Sequence, residues 1–470
     1  MRRATITRSV GAAIAAAGLL VALLLAPAPA RAAEVQRGVA DNFILSWPVA
    51  DQDLAVAELG DKLHAGVFRI DLLWDLAEPS RGAYADDGYL ASVLRLVDAA
   101  HARGMRVVVT VYRTPRWASD SSWWNNPPPT YATGYHSFFP MDAAALPDWE
   151  RFAEHLATLL NGEVFAYECW NEPNLWAFLY PQQANGDGYF AIHTYLTYLE
   201  RFHAGIKAGD PAALVVAGAT APGGSTDKYR TAPQRFAKVL KNIGAADYFD
   251  AYSHHPYTVG GSSGVDPAAA PTNKSIVTLA NISTLLDIFP TKPFYLTEYG
   301  YNTEYTYSFG TTVSEIDQAS YLKKAYAMAA RHPQIEMLLW YLLRDWSPKG
   351  DRYDAAGLYT GLRGLGGGTK RAWFAFAGGN HLTLECASRR PTGSSLRLQG
   401  ALSSDAVGGL KGRPLIVQRQ RGHNPWKTIR KITTTDDGNY KTFVVLSRTA
   451  RYRLVWQGVV TSPSRVVRAV

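Results

Sequence analysis

Eight short apolar runs alternate with amphipathic stretches between residues 38 and 376, and no other feature of this 470-residue chain constrains its fold as tightly. The runs fall at 38–44, 66–72, 106–112, 164–170, 214–218, 249–255, 293–298 and 335–340. Between them, apolar residues recur at helical spacing over 89–103, 148–160, 195–208, 235–243, 277–289 and 315–331. An apolar run too short for a helix and flanked by helical patterns reads as a strand of a parallel βαβ unit. Eight such units in about 340 residues predict an α/β fold, a closed (β/α)8 TIM barrel with enlarged loops. A doubly wound open sheet is the runner-up, and it lacks the glycine-rich phosphate loop expected after its first strand.

From residue 381 the helical period disappears. Short alternating segments at 382–386, 395–399, 414–419, 442–446 and 451–456 take over, separated by turn signals such as Asp436-Asp437-Gly438-Asn439. They predict a small all-β sandwich of Ig-like appearance. Gly378-Gly379-Asn380 marks the expected boundary, giving domains 33–379 and 380–470.

Residues 1–32 have the form of an export signal. Arg2, Arg3 and Arg8 precede an apolar run over 10–25, and small residues follow as far as Ala32 and Ala33. The run is shorter than the ~20 residues a spanning helix needs. The expected location is therefore secreted, with an uncleaved N-terminal anchor as the alternative. Two cysteines, Cys169 and Cys386, are too few for a disulfide framework and are expected as free thiols.

Charge is distributed unevenly. The whole chain carries a formal +8, yet residues 381–470 hold sixteen Lys and Arg against four Asp and Glu, a net +12. A basic tail on an acidic body suits an anionic polymer at a cell surface, and ordinary solvated charge is the plain alternative. No nucleic acid is expected as a partner.

Two glutamates stand out against this frame. Glu172 lies in Trp170-Asn171-Glu172-Pro173-Asn174 after the fourth run, and Glu298 lies in Leu296-Thr297-Glu298-Tyr299-Gly300 at the end of the seventh. A barrel places its chemistry at the C-terminal ends of its strands. Two carboxylates facing one cleft there are what glycosidic bond cleavage requires: one protonates the leaving oxygen, the other attacks or activates water. Glu168 is a rival acid on the fourth strand, set deeper in the pleat. His254 and His255 invite a metal reading, but adjacent strand residues point to opposite faces. No metal or other cofactor is expected.

These motifs resemble the retaining glycoside hydrolases of clan A. Thr114-Pro115-Arg116-Trp117-Ala118-Ser119, Glu168-Cys169-Trp170-Asn171-Glu172-Pro173-Asn174-Leu175-Trp176 and Ser253-His254-His255-Pro256-Tyr257 look most like glycoside hydrolase family 39 and its relatives. The resemblance spans the barrel and implies a polysaccharide substrate, with Glu172 as general acid/base and Glu298 as nucleophile. It further implies that Asn171 binds the sugar 2-hydroxyl and that Arg69 holds the nucleophile ionised. His255 and Tyr257 would line the cleft, with Tyr257 a donor to Glu298, and Trp340 would lie beneath the cleaved sugar. Trp117 and Trp176 fall in the same motifs and are expected to contact substrate. Long aromatic loops favour an endo mode. A non-catalytic glycan-binding protein and a transglycosylase are the alternatives.

Overall fold

The computed structural model describes residues 34–125, 136–258, 266–306, 312–350 and 356–470. The export-signal reading of 1–32 and two aromatics of the third loop, Tyr131 and Tyr135, lie outside them. Eight parallel strands close into a barrel: β1 (Gln36–Ala40), β2 (Val67–Leu73), β3 (Arg106–Tyr112), β4 (Ala166–Cys169), β5 (Leu214–Thr220), β6 (Ala251–His254), β7 (Phe294–Tyr299) and β8 (Ile335–Tyr341). β1 closes the ring against β8, with Gln36 beside Met337 and Ala40 beside Tyr341.

All eight expected strands are present, and the first is displaced. It ends at Ala40, not residue 44. The Asp41 carboxylate accepts hydrogen bonds from the Phe43 and Leu343 backbone N–H groups, and Ile44–Ser46 follows as a 3-10 turn. Five expected helices form, at Ala91–His101, Leu146–Leu159, Phe190–Gly209, Pro233–Asn242 and Glu315–Ala329. The sixth, expected over 277–289, is broken into Leu279–Asn281 and Ser283–Leu286. Thr278 and Asn281 form a reciprocal cap there, and Pro290 disfavours helix in the residue before it. Val49–Ala57 and Arg371–Ala377 are helices that the spacing did not announce.

Inside the barrel, Ala40, Val67, Val108, Ala166, Val216, Ala251, Tyr295, Met337 and Leu339 pack as an apolar layer. Two residues further along the strands the inner layer turns polar: Arg69, Thr110, Glu168, Ser253 and Thr297 are all fully buried. Buried polar groups are tolerated only when paired, so this layer must be a hydrogen-bonded network.

The C-terminal strands form two sheets. One runs in the order Arg389–Arg390, Arg465–Ala469, Ala450–Trp456, Pro414–Gln420, Lys427–Thr433; the other is built on Ser395–Ser404 and Asn439–Val445. Lys427–Thr433 and Arg465–Ala469 carry exposed cations that hide their strand alternation in the sequence. The expected strand at 382–386 shortens to Asn380–Leu382, with Glu385 making an isolated bridge to Gln399. This region grips the barrel through Trp456, stacked obliquely on Phe374 at 5.0 Å, and through Lys323 Nζ, which donates to the Val459 carbonyl at 2.8 Å. Cys169 and Cys386 are free thiols.

Candidate active site

The polar layer converges on Arg69. Its Nε donates to Glu168 Oε2 at 2.9 Å and Thr110 Oγ1 at 2.6 Å, its Nη1 to Glu298 Oε1 at 2.6 Å, and its Nη2 to Asn171 Oδ1 at 2.8 Å. Asp71, two residues along β2, lies 3.0 Å from the same Nη1. One buried guanidinium thus faces three carboxylates, which hold its proton against the cost of burial. Arg69 also orients Asn171: with the amide oxygen engaged, the NH2 is the donor end turned toward the cleft.

Two β-bulges aim the remaining groups. Between Leu296↔Leu338 and Tyr299↔Trp340, two β7 residues oppose one on β8. The extra residue lets Thr297 and Glu298 both turn inward, where strict alternation would have sent one outward. On β5 a second bulge lies between Ala217 and Thr220, with Gly218 at φ 102° and Ala219 at φ 42°. The Ala219 carbonyl accepts the Glu172 backbone N–H at 3.0 Å. Glu172 itself has φ 40° and Trp170 φ 69°, left-handed values that are costly for side-chain-bearing residues. The strand-four motif is therefore bent out of extended conformation at the point where Glu172 enters the cleft.

Glu298 accepts from Arg69 and, at Oε2, from the Tyr257 hydroxyl at 2.9 Å. Glu172 Oε1 lies 2.9 Å from His255 Nδ1, and Glu298 Oε2 lies 3.6 Å from the same nitrogen. One donor atom from each of these three residues falls within 4.8 Å of the others. By distance such a trio could hold a cation, yet both Glu298 oxygens already accept hydrogen bonds.

Burial raises Glu168, but Arg69 and neighbouring hydroxyls outweigh it and hold the carboxyl below its ordinary value. Ionised Glu168 takes the single hydroxyl proton of Thr297, at 2.9 Å. His255 Nε2 lies 3.1 Å from Thr297 Oγ1, whose proton is already given to Glu168, so this nitrogen donates to it. Burial raises Glu172, with the His255 contact opposing and the Glu298 charge adding to the rise. Burial raises Glu298 too, but Arg69 and Tyr257 pull against it. Glu298 thus has a guanidinium and a phenol donating to it where Glu172 meets the His255 ring.

The cleft over these groups has a volume of about 450 Å³ and is lined by Asn42, Asn171, Glu172, Trp176, Tyr257, Glu298 and Tyr341, among others. Arg69, Asn171, Glu172, His255, Tyr257 and Glu298 are thus brought together, and Trp176 stands at the rim. Two expected residues lie elsewhere. Trp117 packs edge-on against Trp74 at 5.5 Å and donates to the Glu78 carbonyl at 2.9 Å. Trp340 faces the helix layer beside Tyr299, its indole N–H on the Thr360 carbonyl at 2.8 Å. The inner face of β8 belongs to Met337, Leu339 and Tyr341, and Tyr341 lines the cleft instead. That parity was a usable signal, as was the spacing of Asp71 from Arg69. His254 is a packing residue, held neutral by burial with its pKa lowered to about 3 and bonded to Thr220 and Val277.

A parallel barrel with two acidic side chains meeting at the C-terminal ends of β4 and β7 defines a glycoside hydrolase architecture, and the sequence agrees. Residues 34–344 match the model of the cellulase family, glycosyl hydrolase family 5, and the chain belongs to that family. No curated protein matches it. Among solved structures, a family 39 glycoside hydrolase from the gut symbiont Bacteroides cellulosilyticus WH2 superposes with TM-score 0.53 at 19% identity, covering 90% of this chain and 81% of that one. GH5_18 from Streptomyces cattleya in complex with GlcNAc gives 0.54 at 15% identity, covering 74% and 80%. The GH39 enzyme from Xanthomonas axonopodis pv. citri gives 0.50 at 16% identity, covering 87% and 91%. At these identities the structures speak for the fold alone. The expected clan is thus found, with family 5 as the matching model and family 39 among the structural likenesses.

Proposed function

We propose that the chain is a secreted, retaining glycoside hydrolase that cuts a polysaccharide by double displacement. The carrying observation is the unequal setting of two neighbouring glutamates, Glu298 against a guanidinium and a phenol, Glu172 against a histidine ring. A retaining pair stands about 5–5.5 Å apart, an inverting pair about 6.5–9.5 Å. The shared 4.8 Å neighbourhood favours the former. Protonated Glu172 gives its proton to the glycosidic oxygen while the Glu298 carboxylate attacks the anomeric carbon and forms a glycosyl ester. Glu172, now a carboxylate, takes a proton from water, which displaces Glu298 and restores both groups. The Asn171 amide reaches the 2-hydroxyl, and Tyr257 and Arg69 keep the nucleophile charged.

Beyond the residues of the site, the cleft is lined by Pro222, Gly223 and Arg230 and by Asn42 and Leu358. A lining that extends beyond the two glutamates supports an endo mode. The export reading of residues 1–32 supports action outside the cell, with 380–470 as an Ig-like accessory unit.

A release screen of mature protein against microbial and plant polysaccharides, with Glu298→Ala beside it, tests the proposal. Release that vanishes in the variant is expected, with the first-formed sugar keeping its anomeric configuration. Inverted product, or undiminished release by the variant, contradicts it.

A further inference from the structure

We propose that the outer face of the C-terminal sheet is a docking surface for an acidic polysaccharide. The sheet's inner face is apolar, with Leu415, Val417, Tyr452, Leu454 and Val467 buried. Register places the outer residues. Arg451 sits between Val466 and Gln420, and Arg453 sits beside Gln418. Lys431 sits beside Ile416, and Arg468 beside Arg389. Residues opposite one another, or two apart along a strand, share a face. Five cations therefore lie on one side of this sheet, with Arg451 and Arg453 about 7 Å apart along one strand and Arg389 and Arg468 about 5 Å apart across two. All but Arg453 are exposed.

No carboxylate answers them. The four acids of this region are accounted for elsewhere. Glu385 bridges to Gln399 in the other sheet, Asp405 meets His381, Asp436 meets Lys411, and Asp437 closes the 435–439 turn. Among the described residues, none of these five cations forms a salt bridge, whereas eight of the barrel's sixteen described arginines do. A solvated face of mixed charge would not separate the signs so fully.

The chemistry of the face favours a glycan over other polyanions. Arg453 is fixed by Gln418, its Nε 2.8 Å from Oε1, and lies 4.2 Å over the Trp426 ring. Planar guanidinium groups pair bidentately with carboxylates, while Gln418 and Gln420 offer amides to hydroxyl groups. An anionic membrane would reward exposed apolar anchors, and the register places one large exposed apolar residue, Val466, among these cations. The assignment of a glycan rests on the glycosidase reading. Arg230 repeats the preference at the cleft rim.

The test is retention of the full chain on immobilised polygalacturonate, with neutral dextran, polyphosphate, duplex DNA and phosphatidylglycerol vesicles as comparators. Wild type should bind polygalacturonate most tightly and be released as salt rises from about 50 to 500 mM. Arg451→Ser/Arg468→Ser/Lys431→Ser should weaken binding about tenfold and leave hydrolysis of a small soluble glycoside unchanged. Equal binding by the triple variant, equal retention on dextran, or tighter binding to polyphosphate, DNA or vesicles would overturn the proposal. Glu298→Ala separates the two readings. It should bind like wild type, and continued hydrolysis by it would count against the active site and not against this surface.

Discussion

At the scale of residues, the proposed mechanism asks the site to divide one proton and one charge between two glutamates, each at the end of a barrel strand. Environment makes the difference: Glu298 accepts from Arg69 and Tyr257, whereas Glu172 meets the His255 ring. Glu172→Gln should lower turnover of natural glycans by about 10²–10⁴-fold and spare substrates whose leaving group needs no proton. Equal loss on both substrate types would remove Glu172 from the role of acid. The pH profile follows from the same assignment. Activity needs Glu172 protonated, so it falls on the alkaline side as that proton leaves; it needs Glu298 charged, so it falls on the acid side as that carboxyl is neutralised. Burial raises both groups, so both limbs should lie above the ordinary glutamate range. An alkaline limb near the ordinary value of about 4.3 would contradict the burial argument. These two residues were legible because their motifs sit at strand ends. Asp71 and Tyr341 were within reach of strand parity, on the inner face with Arg69 and Met337; that Thr297 and Glu298 both face inward was not, because the β7 bulge leaves no mark in composition.

At the scale of elements, the bulges on β5 and β7 are what turn a barrel into a site. Gly218 shows the tolerance: a Cβ there would stand 2.6 Å from the Ser253 carbonyl and 2.7 Å from the Tyr252 ring, at a φ of +102°. Gly218→Ala should cost about 2–4 kcal/mol of stability. It should also lower activity in the surviving folded fraction, since the adjoining Ala219 carbonyl holds the Glu172 backbone. Thermal melts beside active-site-titrated kcat would show both; unchanged values would mean that the bulge does not position Glu172. Apolar period located the strands well, because each strand is buried on both faces. It failed at 277–289, where a local cap and a proline outweigh the period, and at 427–433, where an exposed strand offers no apolar alternation.

At the scale of the whole molecule, the barrel and the C-terminal sheets share a buried seam. Trp456 and Phe374 are almost wholly enclosed, and Gly458 fits against the Ile316 carbonyl with no room for a side chain. Trp456→Ala should destabilise the protein by about 3–5 kcal/mol, seen as a lowered melting temperature, while kcat on a small glycoside at 25 °C stays near wild type. A melting temperature unmoved by the change would show that the seam contributes little. Composition revealed the change of texture at residue 381 and the charge asymmetry, but the seam was invisible to it, because Trp456 and Phe374 are distant in sequence and each reads locally as ordinary core.

The most direct test of the double-displacement account is covalent trapping. The protein is incubated with the 2-deoxy-2-fluoroglycosyl fluoride of each sugar it hydrolyses, digested, and mapped by mass spectrometry. The account predicts time-dependent inactivation with one glycosyl group esterified to Glu298. A label on any other residue, or no label from sugars that are turned over, would contradict it.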